Sequence, residues 1–162
     1  MIVRTLCVVA LMPVMIASAA EPEVSPPASS DAANAALLAH EQQSVQAVCG
    51  NQCHRIELFA TARKSYDDWH ETVQKMVDRG ATGTDDQFLD IMDYLYRTQT
   101  IIDVNAAEPE DLQIVLGASP AQAQAIVARR VKKKFTGLED LKSVSGLDAA
   151  KLDAKAGFLV FQ

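Results

Sequence analysis

Cys49 and Cys53 are separated by Gly50-Asn51-Gln52, and His54 follows the second thiol directly. Two thiols beside an imidazole suit covalent haem: the thiols add to two vinyl groups and the imidazole ligates iron, usually in the spacing C-x-x-C-H. This chain has one residue more between the cysteines, and Gly50 eases the longer loop because it tolerates unusual backbone angles. The spacing leaves open whether both thioethers form or only the one at Cys53. Ligation by His54 depends less on that question, because the Cys-His dipeptide is intact. Two other chemistries draw on the same residues. A disulfide between positions 49 and 53 closes a very small loop and stabilises little by loop-closure entropy. A structural zinc site wants four ligands, and beyond Cys49, Cys53 and His54 only the sequence-distant His40 or His70 could add one. Haem best explains why a histidine follows at once.

The compartment agrees with that chemistry. Arg4 precedes an apolar run over residues 6–16 that ends in Ala17-Ser18-Ala19-Ala20, so residues 1–20 read as a secretory signal cleaved near Ala19 or Ala20. The run is about eleven residues, short of the about 20 that span a bilayer. Cleavage removes Cys7 and leaves Cys49 and Cys53 as the only cysteines of an exported, periplasmic chain; the alternative is an uncleaved, membrane-anchoring N-terminus. A net charge of -6 and a pI near 5.0 argue against a protein built as a whole to coat nucleic acid, while leaving room for a local basic patch.

The elements that must position the thiols follow from periodicity. Residues 21–35 are rich in Pro, Ser, Ala and Asp without apolar periodicity and read as a disordered linker. Leu37, Leu38, Val45 and Val48 predict a helix over 37–48 that delivers the cysteines. Trp69, Val73 and Met76 fall at i, i+4 and i+7 and share one face of a helix over 65–79. Gly80 and Gly83 break the chain, and Thr84 with Gln87 forms a capping box. The helix it opens, over 85–97, buries Phe88, Ile91, Met92 and Leu95.

With these residues in place, positions 36–98 resemble the small mono-haem class I cytochrome c domains that serve as electron-carrying subunits beside periplasmic dehydrogenases. The cysteine-histidine motif is followed by a helix of the form W-x-x-x-V-x-x-M, here Trp69 to Met76, and by a final Tyr-Leu helix. The resemblance implies one covalent haem c, His54 as proximal and Met76 as distal iron ligand, and single-electron exchange with a periplasmic redox protein or dehydrogenase. A thioether is a soft neutral ligand that favours ferrous iron and raises the potential relative to a second imidazole. His70 competes for that position but lies about 120° around the helix from Met76, so only one of the two can face the iron. With both axial positions filled, the chain reads as an electron carrier and not an enzyme, unless Met76 yields to a gas ligand in a sensor. Ten acidic against six basic residues over 36–98 suit a partner with a basic rim. Arg63 is either a propionate partner or a solvated arginine.

A second unit is expected over 101–162, making the fold all-α with two small domains. Pro109 suits a first helical turn, and Leu112, Val115 and Leu116 give an apolar face before Gly117-Ala118-Ser119-Pro120. A helix over 120–130 follows with Ala123, Ile126 and Val127 inward; Leu138, Leu141 and Val144 then precede Gly146-Leu147-Asp148 and a helix over 149–156. This stretch resembles the tandem helix-hairpin-helix domain of competence DNA-uptake receptors and related exported proteins, carried by D-V-N-A-A, L-G-A-S-P-A, A-I-V-A-R-R, F-T-G-L-E-D-L and S-G-L-D. In DNA-binding members the hairpin reads G-h-G and its amides contact phosphate, which implies candidate contacts at Gly117, Gly146, Arg129, Arg130, Lys132, Lys133 and Lys134. Here Ser119 and Asp148 replace the second hairpin glycines, and an aspartate repels phosphate. Eight basic residues balance eight acidic ones over 101–162. A protein-docking or structural role is the expected use of the domain, and exported DNA binding is the alternative function.

Overall fold

Helix boundaries in this chain are set by side chains that satisfy free backbone N–H groups. The computed structural model describes residues 30–162. Helix α1 (Ser30–Val45) runs into a single π-helical turn, Gln46–Gly50, and a short 3-10 turn follows at Ile56–Leu58. Helix α2 (Tyr66–Asp78) is capped by Ser65, whose hydroxyl accepts from the Asp68 amide at 3.1 Å. Helix α3 (Asp85–Gln99) opens on the expected capping box: Thr84 Oγ1 accepts from the Gln87 amide and Gln87 Oε1 accepts from the Thr84 amide. Such caps contribute about 1 kcal/mol each.

The first core lies where α1, α2 and α3 meet. Val45, Val48, Trp69, Ile91, Met92 and Leu95 are buried there, and Phe88 packs against them half-buried. Helix α1 starts at Ser30, inside the stretch expected to be linker. Residues 30–36 contain no proline, so nothing in them breaks the helix that Leu38 and Val45 anchor. The assigned signal, residues 1–20, and most of the assigned linker lie outside the described residues.

The second unit continues without a linker. Strand β1 (Ile102–Asp103) pairs in parallel with β2 (Leu159–Val160), Ile102 opposite Leu159. Between them come α4 (Pro109–Leu116), α5 (Pro120–Lys132), α6 (Leu138–Lys142), α7 (Ala149–Lys155) and a 3-10 turn at Ala156–Phe158. This two-residue strand pair and a single parallel bridge between Lys64 and Thr100 are the β pairings among the described residues. Gly117 adopts a left-handed conformation, φ 65°, that ends α4 as glycine readily can. Leu112, Val115, Ala123, Ile126, Phe135, Leu141 and Leu152 form the second core. The D-V-N-A-A opening ties its ends: Asn105 Nδ2 donates to the carbonyls of Phe135 and Gln162, Asn105 Oδ1 accepts from the Phe135 amide, and Asp103 Oδ1 accepts from the Gln162 amide.

The two units pack on each other. Tyr96 of α3 packs on the second core and its hydroxyl donates to Asp111; burial first, and then that bond, pushes the phenol well above its ordinary range. Phe158 lies between two cations, Arg63 at 4.5 Å and Lys155 at 5.5 Å from the ring centroid. Lys64 bridges backbone to backbone with the segment that leaves α3, accepting from the Ile101 amide at 2.9 Å. The C-terminal unit therefore docks first on its own N-terminal unit.

Candidate functional site

The inner faces of α1, α2 and α3 enclose an apolar cleft with two lobes. Val45, Cys49, His54, Leu58, Phe59, Trp69, Thr72, Val73, Met76, Ile91 and Leu95 line the larger lobe. Cys49, Cys53, His54 and Met76 line the smaller one with Val48, Val73, Ala81, Phe88 and Ile91. Two thiols, an imidazole and a thioether, drawn from positions 49 to 76, therefore meet at one cavity. Trp69, Val73 and Met76 share the α2 face that closes it, as their spacing requires. His70 is exposed and absent from both lobes, and His40 pairs instead with Asp90 across 3.4 Å.

The backbone around the cysteines is wound in π fashion. The Asn51 amide donates to the Gln46 carbonyl at 2.9 Å and the His54 amide to the Cys49 carbonyl at 3.4 Å, both spanning five residues. A π-type turn holds one residue more than an α turn, and such turns recur at functional sites. Gln52, the third residue between the cysteines, fastens the loop to the α2–α3 connection: its Nε2 donates to the Thr82 carbonyl at 2.7 Å, and its Oε1 accepts from the Thr82 amide and hydroxyl. Nothing in the spacing alone signalled that clamp.

The donor types at the smaller lobe are two thiols, an imidazole and a thioether. Both cysteines are free thiols, not a disulfide. Burial, and secondarily Cys53, pushes the Cys49 thiol above its ordinary range. Among the described residues no group of three or more His, Cys, Asp and Glu gathers to hold a metal ion. His54 Nδ1 lies 3.3 Å from the Arg55 carbonyl. A carbonyl only accepts, so in the tautomer that makes this bond Nδ1 carries the proton and Nε2 the lone pair. Phe59 stands edge-on between His54 at 5.9 Å and Trp69 at 6.5 Å.

These residues fit a haem by donor type. The lobes hold about 110 and 30 Å³, below the roughly 300–1,000 Å³ of pockets that enclose drug-sized ligands, so a tetrapyrrole requires an outward shift of the walls. In the wall over residues 55–62 Leu58 is 74% exposed, and the hydrogen bonds of the segment are mostly local. Arg63 does not face the cleft; it stacks on Phe158 and donates to the Thr61 carbonyl.

The hairpins of the second unit are internally satisfied. Gly146 has φ 87°, and the Asp148 carboxylate accepts from the Ala150 and Lys151 amides that begin α7. Ser119 accepts likewise from the Gln122 amide, and the Gln122 side chain donates to the Gly146 carbonyl, joining the hairpins. Much of the expected basic cluster is engaged. Arg129 pairs with Asp140 at 2.8 Å, Arg130 donates to the carbonyls of Val104 and Ala107, and Lys134 donates to the Gln162 carbonyl. Lys132 and Lys133 remain exposed at the end of α5, beside Val131, which is 80% exposed.

Residues 97–160 match the helix-hairpin-helix motif family, so the C-terminal unit, less than half of the chain, is a helix-hairpin-helix unit. Neither a curated protein nor a solved structure matches the chain. Among the described residues no helix is long and apolar enough to cross a membrane.

Proposed function

We propose that this chain is an exported c-type haem protein that passes single electrons, with its helix-hairpin-helix unit serving to brace the haem unit and to dock a protein partner. One observation carries the reading: Cys49, Cys53, His54 and Met76 line one apolar cleft although the first three come from the turn after α1 and Met76 from α2. The family match bears on the C-terminal unit alone. A bound haem c would supply a one-electron iron couple. Cys49 and Cys53 would hold it through thioethers, His54 Nε2 and the Met76 thioether would ligate the iron, and the apolar walls would exclude water and favour the neutral ferrous state. With both axial positions taken by protein the chain carries electrons and is not itself an enzyme; the exposed Leu58 marks the side open to a periplasmic dehydrogenase or other redox partner. Expression with haem-maturation machinery tests this. Reversible sharp reduced bands that survive denaturant support it, and an absence of haem overturns it.

The second reading is an exported DNA-binding protein, favoured by the helix-hairpin-helix match and by Lys132 and Lys133 at the surface. The Asp148 carboxylate at the second hairpin and the internal bonds of Arg129 and Arg130 weigh against it. A DNA mobility assay at rising salt separates the two: a shift at low salt that fades with salt supports DNA binding, and no shift at low salt ends it.

A further inference from the structure

A groove separate from the cysteine cleft lies where the two units meet. It holds about 700 Å³, within the roughly 300–1,000 Å³ of pockets that take ligands, and shares no residue with either lobe of the cleft. Tyr66, at the start of α2, and Tyr96, on α3, both line it with their ring centroids 4.7 Å apart, and Ile102 and Ala107 add apolar surface. Asp103, Glu108 and Asp111 bring three carboxylates from the opening of the second unit. The Tyr96 hydroxyl and the Glu108 amide donate to Asp111, and the Asn105 and Gln162 amides donate to Asp103. These donors are neutral and add no positive charge to the groove.

We infer that this groove docks an arginine side chain carried on a basic segment of a protein partner. Charge complementarity is the first argument. Residues 101–111 hold four acidic residues and no basic one. Among the described residues no Lys, Arg or His lies within ion-pair distance of Asp103, Glu108 or Asp111. Two cations that adjoin the groove through the backbone are committed elsewhere and do not line it: Lys64 Nζ donates to Thr72 Oγ1, and the Arg130 guanidinium to the Val104 and Ala107 carbonyls. A cation for these carboxylates must therefore come from outside. The paired rings are the second argument. A guanidinium stacks on an aromatic face and offers paired N–H donors to a carboxylate, which an ammonium cannot do. Tyr66 is 42% exposed, so its ring is open to an incoming side chain. The assignment rests on the docking half of the proposed function and gives it a place and a chemistry; the haem half does not enter it.

The test is a titration of the full chain with the peptide acetyl-Gly-Arg-Gly-Arg-Gly amide, followed through backbone amide shifts by NMR. The same peptide with citrulline in place of arginine keeps the shape and loses the charge, and a lysine peptide keeps the charge and loses the plane. The expected result is saturable shifts over residues 101–111 with the arginine peptide, binding at least about tenfold weaker for citrulline and about threefold weaker for lysine. In the double variant Tyr66→Ala/Glu108→Gln the arginine peptide should lose about tenfold in affinity. Equal binding of the arginine and citrulline peptides, or shifts confined to other surfaces, overturns the assignment; equal binding of lysine overturns the choice of arginine. Dimerisation that shifts residues 101–111 without peptide gives the groove to a second copy of the chain and overturns it too. The peptide contrasts are read on the unaltered chain, so they decide the matter whether or not the double variant folds. An absence of haem overturns the proposed function without altering this titration, and an unresponsive groove overturns this assignment without altering haem attachment.

Discussion

Replacing Trp69 by Phe tests the link between the cleft and the C-terminal unit. The indole Nε1 donates to the Gln99 carbonyl at 3.1 Å in a buried setting, and Trp69 is 2% exposed. That carbonyl also accepts from the Lys64 amide at 3.4 Å, so the substitution leaves it one partner. The lost hydrogen bond then costs about 0.5–1.5 kcal/mol and not the larger penalty of an orphaned acceptor. The smaller ring leaves space in a packed wall, which adds about 1–2 kcal/mol. Together the loss is about 1.5–3.5 kcal/mol, or about 5–14 °C in Tm for a folded region of this size. Thermal unfolding of the tetrapyrrole-free chain by far-ultraviolet circular dichroism reads this without relying on the tryptophan signal. A loss below about 0.5 kcal/mol refutes the claim that this bond ties the cavity wall to the segment leaving α3.

Glu41 is 1% exposed, paired with Arg97 at 3.0 Å, and leaves Oε2 without a partner. Burial pushes its carboxyl above the ordinary 4.5, Arg97 opposes that, and Asp93 and Asp90 add to it. The folded state therefore binds more protons than the unfolded one above pH 4.5, and stability falls as pH rises through that window. Glu41→Gln should flatten this slope in a pH series of unfolding midpoints, and an unchanged slope would refute the assignment. Asp148→Ala removes the cap on α7 and should lower stability by about 1 kcal/mol in a urea melt without creating DNA retention in a mobility assay. In the haem-loaded protein Met76→Ala should open the sixth position and lower the potential; an unchanged low-spin spectrum would assign the ligand elsewhere, His70 first.

What could be read in advance is whatever local chemistry dictates. Thr84 with Gln87, the prolines at 109 and 120, and Gly117 mark their helix ends because each acts on its immediate neighbours. The Trp69, Val73 and Met76 face follows from helical period alone. The rest depends on groups far apart in the chain. Ile102 and Leu159 pair across most of the second unit, and a two-residue strand carries no period to detect. The turn of α1 into π winding is legible only once the Asn51 and His54 amides have found acceptors five residues back. A run of cations looks like a patch until Asp140 and the Val104 and Ala107 carbonyls take up Arg129 and Arg130. Arg63 and Lys64 are adjacent and equally charged, and tertiary packing sends one to Phe158 and the other toward Thr72.

The intact mass of the mature chain, produced with haem-attachment machinery and measured in denaturant, tests the central claim most directly. The account predicts a mass increased by one haem, lost in Cys49→Ala/Cys53→Ala and located by peptide mapping to the segment bearing Cys49 and Cys53. An unmodified chain with both thiols titratable would contradict it.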